Sequence, residues 1–452
     1  MASRSQPPAG GEEKPLPPGP SGLPWLGKTL QLVRDPFAFY DRVESYGDVV
    51  CYTVAGQRFC ALLHPDHVEH VLVEQPERYR RWMAADWDVF SGFGSEGLLL
   101  SHDEQWRRQR QLLQGAFTPD RLQSYAGSMV AHAERTVSGW EDGETVAINR
   151  DATRLTLEIL TTSLFDLDVS EDRAVVADAA RALNERADTG LSTFLPGWLP
   201  TPSNRRYHRR MAAFEDMVEA LIDERRAAPE AGDDLLTLLL TAGEDDRGLS
   251  RTEVVDNVVT FLFAGHETTS LALTYTLFLL ARHPEAQRKL RDEVDTVLDG
   301  DAPTAGAREQ LDYTERVIKE ALRLYPPAYV QFREVTEPSE IGGYAIPEGT
   351  KLSLPQFHIQ TDGRFYDDPD TFRPDRWTPE FEASLPDYAY FPFGGGPRHC
   401  IGMRFARLEL ELVLPVLIDR ANFELVSDPD LDFQLGITMQ PTSDIELRVE
   451  KR

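Results

Sequence analysis

The chain has 452 residues, 41% of them hydrophobic, with 75 acidic and 47 basic side chains and a net charge of −28. Such a surface excludes nucleic acid as a partner and disfavours anionic lipid, because phosphate is repelled. Three cysteines (51, 60 and 400) make no disulfide framework, which points to a reducing cytoplasm.

Only six basic residues are lysines. High acidity with few lysines fits a halophile with a salt-rich cytoplasm, or a GC-rich genome that favours Arg. There is no signal peptide and no run of about 18 apolar residues, so no membrane anchor is expected. Residues 1–20 are rich in Pro and Gly and are expected to be disordered. After them no linker divides the chain, and residues 21–452 read as a single domain.

Asp48 to Leu63 alternates around Ala55-Gly56 and predicts a hairpin, with Cys51 and Cys60 as core fillers. From about 65 to 300 the pattern is mostly helical, interrupted by a Gly- and aromatic-rich break at 83–101. Trp106 and Arg110, four apart, share a helix face. They read either as a donor pair for a carboxylate or as an exposed cationic face over a half-buried Trp. Two helices are expected over 165–230, joined by a Pro-rich apolar loop at 194–202.

Ser250-Arg-Thr-Glu253 is a capping box that opens an almost continuous apolar run to about Ala281, closed by His283-Pro284. This predicts a buried helix of about 45 Å. At its middle stands Ala264-Gly265-His266-Glu267-Thr268-Thr269. A buried Glu must be paired, hydrated or proton-handling. Thr268 can bond back to the carbonyl of Ala264, and Gly265 leaves room for a ligand or water; a satisfied polar kink is the plainer reading.

Glu320 and Arg323 place acid and base three apart on a helix, with Arg376 following in Phe372-Arg-Pro-Asp-Arg-Trp377. Ile341 to Thr350 reads as strand and tight turn. Last comes Phe391-Pro-Phe-Gly-Gly-Gly-Pro-Arg-His-Cys-Ile-Gly402, which delivers Cys400 to the start of an apolar helix at 403–419. A helix N-terminus favours a thiolate, and the glycines leave room for a flat ligand. A lone Cys beside Arg398 suits an axial iron ligand next to an anionic group, and does not suit zinc. On this stretch alone, a buried Cys in a Gly-rich turn reads as well.

The spacing Phe393-x-x-Gly396-x-Arg398-x-Cys400-x-Gly402 resembles the haem-binding loop of the cytochrome P450s. Four other motifs resemble that family's in its order: Trp106-x-x-x-Arg110, Ala264-Gly265-x-Glu267-Thr268-Thr269, Glu320-x-x-Arg323 and the later Arg376 element. The resemblance implies a mainly α fold with a small β-rich subdomain, and haem b (iron protoporphyrin IX) between the long helix and the Cys400 loop. It implies Cys400 as the iron ligand, with Phe393, Gly402 and Ala264 beside the haem. Trp106, Arg110, Arg333 and Arg398 would meet its carboxylates. Glu267 and Thr268 would deliver protons, and Glu320, Arg323 and Arg376 would form a structural triad. Ala264, Ala328, Tyr329 and Val330 would face the substrate, as would apolar residues between Phe90 and Leu100 and from Ile437 to Met439. His266 falls at a variable position and receives no role.

The activity implied is that of a monooxygenase placing one oxygen atom from O2 into a small lipophilic substrate. Electrons would come from a ferredoxin and ferredoxin reductase, since the chain ends at Arg452 with no module to supply them. Arg107, Arg108, Arg404 and Arg407, with Arg110 and Arg398 where these are not buried, would offer the ferredoxin a basic face. A peroxide-using peroxygenase or isomerase is the alternative within haem-thiolate chemistry, and a haem sensor the alternative outside catalysis. Retention of the acid–Thr pair favours the monooxygenase.

Overall fold

The computed structural model describes residues 14–23, 26–82, 94–167, 172–187, 201–227, 234–241 and 248–452. Most of the expected break at 83–101 and nearly all of the loop at 194–202 lie outside them, as do residues 1–13. Residues 14–20, expected to be disordered, bond the edges of two separate sheets. Here the Pro18 carbonyl accepts from the Cys51 N–H at 2.9 Å and the Pro15 carbonyl from the Ala345 N–H at 3.0 Å.

The predicted long helix runs Arg251–Arg282, and both halves of its capping box are present between Ser250 and Glu253. It stays α-helical throughout, so the bond from Thr268 to the Ala264 carbonyl does not break it. It packs against Ile148–Phe165 on one side and against Asp312–Leu324 and Met403–Arg420 on others. A helix enclosed on all sides needs an apolar circumference. From Glu253 to Ala281 every residue is buried except Ala264, Gly265 and Thr268. Gly265 is required by close packing, since a Cβ there would come within 2.7 Å of the Leu160 side chain. The space of its missing Cβ is taken by the neighbouring helix, while the residue still borders a cavity.

The hairpin forms as Val49–Val54 against Gln57–Leu62, with Ala55 and Gly56 both at positive φ in the two-residue turn. It belongs to a five-stranded sheet continued by Lys351–Leu354, Gln331–Val335 and Tyr79–Arg81. Cys51 and Cys60 stand directly opposite each other, Cα–Cα 4.0 Å, with their sulfurs in contact. The two residues are therefore neighbours rather than independent core fillers. The register does it, since both residues lie four positions from the turn. Cys60 is also buried in a second core that includes Leu352, Leu354 and Phe391. Phe391 thereby ties the Cys400 loop to the sheet. Among the described residues no helix is long and apolar enough to cross a membrane.

Candidate active site

The exposure left to Ala264, Gly265 and Thr268 opens onto a cavity of about 480 Å³. Its walls include Cys400, Phe393 and Gly402 on one side and Ala328, Tyr329 and Val330 on another. Leu98, Leu99, Ile437 and Thr438 contribute as well, while most of the predicted contact segment near Phe90 is outside the described residues. The structure thus gathers the expected loop, helix and substrate segments around one space.

Cys400 is accessible from this cavity. Its N–H donates to the Phe393 carbonyl at 2.9 Å, fixing the loop, and Met403–Arg420 follows directly. Burial pushes the thiol up, and the Gly402 N–H, Arg110 and Arg81 pull the other way. In the Gly-rich stretch Gly394 and Gly402 line the cavity, as expected, but Gly396 does not. A Cβ on Gly396, at φ +62°, would sit 1.7 Å from the Leu72 carbonyl oxygen. That glycine lets protein backbone, rather than a ligand, come close.

The arginines give the clearest test of what the cavity holds. Arg333 and Arg398 line it, as expected, and so does Arg81, which motif reading missed. Arg81 and Arg333 are register partners on Tyr79–Arg81 and Gln331–Val335. Burial and the neighbouring Arg333 and Arg398 push Arg81 down to about 9. Arg333 is lowered to about 10 by burial and Arg398. Arg398 stacks on the Trp106 ring, 4.4 Å from its centroid, and donates to the Ser101 carbonyl at 3.0 Å. Its Nη1 is buried without a partner among the described residues. Arg110 donates to the His399 carbonyl at 3.0 Å. Among the described residues no carboxylate bonds Arg81, Arg333 or Arg398. Unpaired cations under a cavity call for an anionic occupant. A flat group carrying carboxylates and needing one thiolate ligand fits this donor set.

Glu267 does not line that cavity. Its Oε1 accepts from Asn184, from the Thr438 hydroxyl at 2.6 Å and from Gln440 at 2.7 Å, and its Oε2 is buried with no partner among the described residues. Burial pushes the carboxyl up to about 7 against those three donors. Successive helix residues point about 100° apart, so Thr268 can face the cavity while Glu267 faces away. His266 is packed, with Nδ1 against the Leu262 carbonyl, and burial pushes it down to about 4.

Glu320, Arg323 and Arg376 meet as expected, all buried. Glu320 accepts from Arg323 Nε and Nη2 at 2.9 Å, Arg376 Nε at 2.9 Å, Trp377 Nε1 at 2.9 Å and the Arg373 N–H at 3.0 Å. Arg323 donates to the Gln360 carbonyl at 2.9 Å, and Gln360 Oε1 accepts the Phe391 N–H at 3.1 Å. The network therefore reaches the first residue of the cysteine loop. The expected basic face is thinner than read. Arg108 is paired with Glu253, and Arg407 with Glu315 at 2.7 Å. Arg107 and Arg404 stay exposed.

Comparison with known proteins gives one answer. The family model described as Cytochrome P450 matches residues 17–447. Pentalenene oxygenase of Streptomyces avermitilis is 33% identical over 91% of this chain and 92% of its own. Cyclooctat-9-en-7-ol 5-monooxygenase of Streptomyces melanosporofaciens is 32% identical over 93% and 91%. The solved structure of retinoic acid bound cyanobacterial CYP120A1 superposes with a TM-score of 0.87 at 27% identity, covering 98% of this chain and 100% of that one.

Proposed function

The chain belongs to the cytochrome P450 family, and we propose that it hydroxylates a small lipophilic molecule as a haem-thiolate monooxygenase fed by a separate electron donor. The observation that carries this reading is one cavity joining Cys400, Thr268 and arginines that no carboxylate bonds among the described residues. Haem b, ligated by Cys400 and held through its carboxylates by Trp106, Arg81, Arg110, Arg333 and Arg398, would supply reductive O2 activation and oxygen transfer.

The protein's own residues do the rest. Arg110, Arg81 and the Gly402 N–H stabilise the Cys400 anion once a metal replaces its proton. Phe393, Gly402 and Ala264 bound the slot. Thr268 presents a hydroxyl to the cavity while donating to the Ala264 carbonyl at 2.9 Å, so its oxygen can receive and pass on a proton. Glu267 stores that proton near neutral pH, because burial raises it to about 7. The Glu320, Arg323 and Arg376 cluster braces the loop and takes no part in chemistry.

Ala264, Ala328, Tyr329 and Val330 form the substrate wall. Tyr329 spends its hydroxyl on the Gly436 carbonyl at 2.9 Å and offers the ring. A wall of this kind orients hydrocarbon by shape. The names of the similar proteins, pentalenene oxygenase and a structure with retinoic acid bound, favour the same class. A ferredoxin, reduced by its reductase, would dock at Arg107 and Arg404.

The reduced, CO-bound difference spectrum tests the assignment. A thiolate-type Soret band is expected, lost in Cys400→Ser; its absence from the wild type would overturn the reading. Spin-state shifts across fatty acids, terpenoids, carotenoids and steroids would then narrow the substrate.

A further inference from the structure

Glu267 does not line the cavity, yet Thr438 both bonds it and forms part of the cavity wall. Thr438 Oγ1 lies 2.6 Å from Glu267 Oε1, and Thr438 is part of the cavity wall. Its other acceptor is Asn184 Oδ1 at 3.2 Å, and its N–H is 3.3 Å from the same oxygen. The remaining polar partners of Glu267 are Asn184 Nδ2 and Gln440 Nε2, and neither residue lines the cavity. All four side chains are buried or half-buried. No charged side chain among the described residues contributes to the field at Glu267.

We infer that Thr438 is the relay through which Glu267 exchanges protons with the active-site cavity, and that Asn184 positions both groups. In the transfer, protonated Glu267 gives its Oε1 proton to Thr438 Oγ1. The O–H bond that Thr438 already holds breaks toward a water in the cavity, which gains the proton. Thr438 stays neutral and Glu267 becomes the carboxylate, so the balance needs nothing beyond that water. Threonine suits this role because its hydroxyl is both donor and acceptor. Asn184 holds the geometry from both ends, since its Nδ2 bonds Glu267 and its Oδ1 faces Thr438. The inference rests on the reading of the cavity as the site of O2 chemistry, and it adds a route that the helix motif does not contain.

Deuterium exchange of the Glu267 proton tests it on the haem-loaded protein. Infrared difference spectra at pH 5 after mixing into D2O follow the carboxyl band, identified by its loss in Glu267→Gln. Exchange should slow by at least about tenfold in Thr438→Val and return in Thr438→Ser. Filling the cavity with 4-phenylimidazole should slow the wild type as well. In Asn184→Ala the band should titrate at higher pH, because a donor to the charged form is gone. Wild-type exchange in Thr438→Val would overturn the relay, as would a Thr438→Ser variant that exchanges no faster than Thr438→Val. A CO-difference spectrum on each variant separates this outcome from failure of the haem-thiolate reading, which would remove the Soret band from the wild type too.

Discussion

Arg81 and Arg333 stand opposite each other on paired antiparallel strands, and no carboxylate among the described residues bonds either. Like charges directly across a ladder destabilise a sheet. The pair therefore makes sense only with an anion bound beside it. This gives a prediction with opposite signs in two states. Arg81→Gln should stabilise the haem-free protein by about 0.5 kcal/mol, measured by urea unfolding. The same change should speed haem loss about tenfold, followed by transfer to an acceptor apoprotein, because a charge-assisted hydrogen bond is gone. Unchanged haem loss would remove Arg81 from the carboxylate site.

Glu320 is the centre of the loop's support, accepting from Arg323, Arg373, Arg376 and Trp377. Breaking a buried ion pair from one side costs about 3–5 kcal/mol, since uncompensated charge is left behind. Glu320→Gln should accordingly yield little folded holoprotein. A gentler variant isolates the link to the loop. Gln360 donates to the Leu322 carbonyl at 3.0 Å and accepts from Phe391 at 3.1 Å. Gln360→Leu should keep the fold, lose about 1–3 kcal/mol and release haem faster. A variant that is destabilised but holds haem as firmly as the wild type would mean that the network does not brace the loop.

Features written in consecutive residues were legible from the sequence. The capping box at Ser250 and Glu253, the turn at Ala55-Gly56 and the dense signature around Cys400 each specify a local geometry. The triad was readable because Glu320 and Arg323 share a helix face and a resemblance supplied Arg376. Arg81 had no such signal, since its role comes only from strand register with Arg333. Asn184, Thr438 and Gln440 meet Glu267 only after three distant segments pack. Cys51 and Cys60 were within reach, being equidistant from a turn that was itself predicted. Two glycines have a packing role that the sequence does not reveal, because a missing Cβ shows that something comes close, not what. At Gly265 it is Leu160, and at Gly396 the Leu72 carbonyl.

Thr268 offers a clean test of proton handling, because its removal should leave the helix intact. Among the described residues its hydroxyl bonds only the Ala264 carbonyl, within its own helix, and Ala is the better helix former. Stability of Thr268→Ala should stay within about 0.5 kcal/mol of the wild type. O2 consumption should continue while product per O2 falls at least about tenfold, the electrons leaving as hydrogen peroxide. Thr268→Ser should recover most of the coupling. Unchanged product per O2 in the alanine variant would take proton delivery away from this residue.

Glu409 has no place in this chemistry, and its setting predicts an effect on stability. It lies on Met403–Arg420, is 1% exposed, and both carboxyl oxygens are buried without a partner among the described residues. Burial holds its pKa well above the ordinary value of 4.5. Between those two values the folded state keeps a proton that the unfolded chain has released. Folding is then disfavoured progressively as pH rises above 4.5. Glu409→Gln removes the titration, so urea unfolding at pH 5 and pH 8 should differ less in the variant than in the wild type. Glu409→Met also removes the unsatisfied oxygens and should add about 1–3 kcal/mol at pH 8, with a smaller gain at pH 5. A loss of stability in Glu409→Met at pH 8 would show that the carboxyl has a partner after all, and a wild-type pH slope in Glu409→Gln would place the titrating group elsewhere.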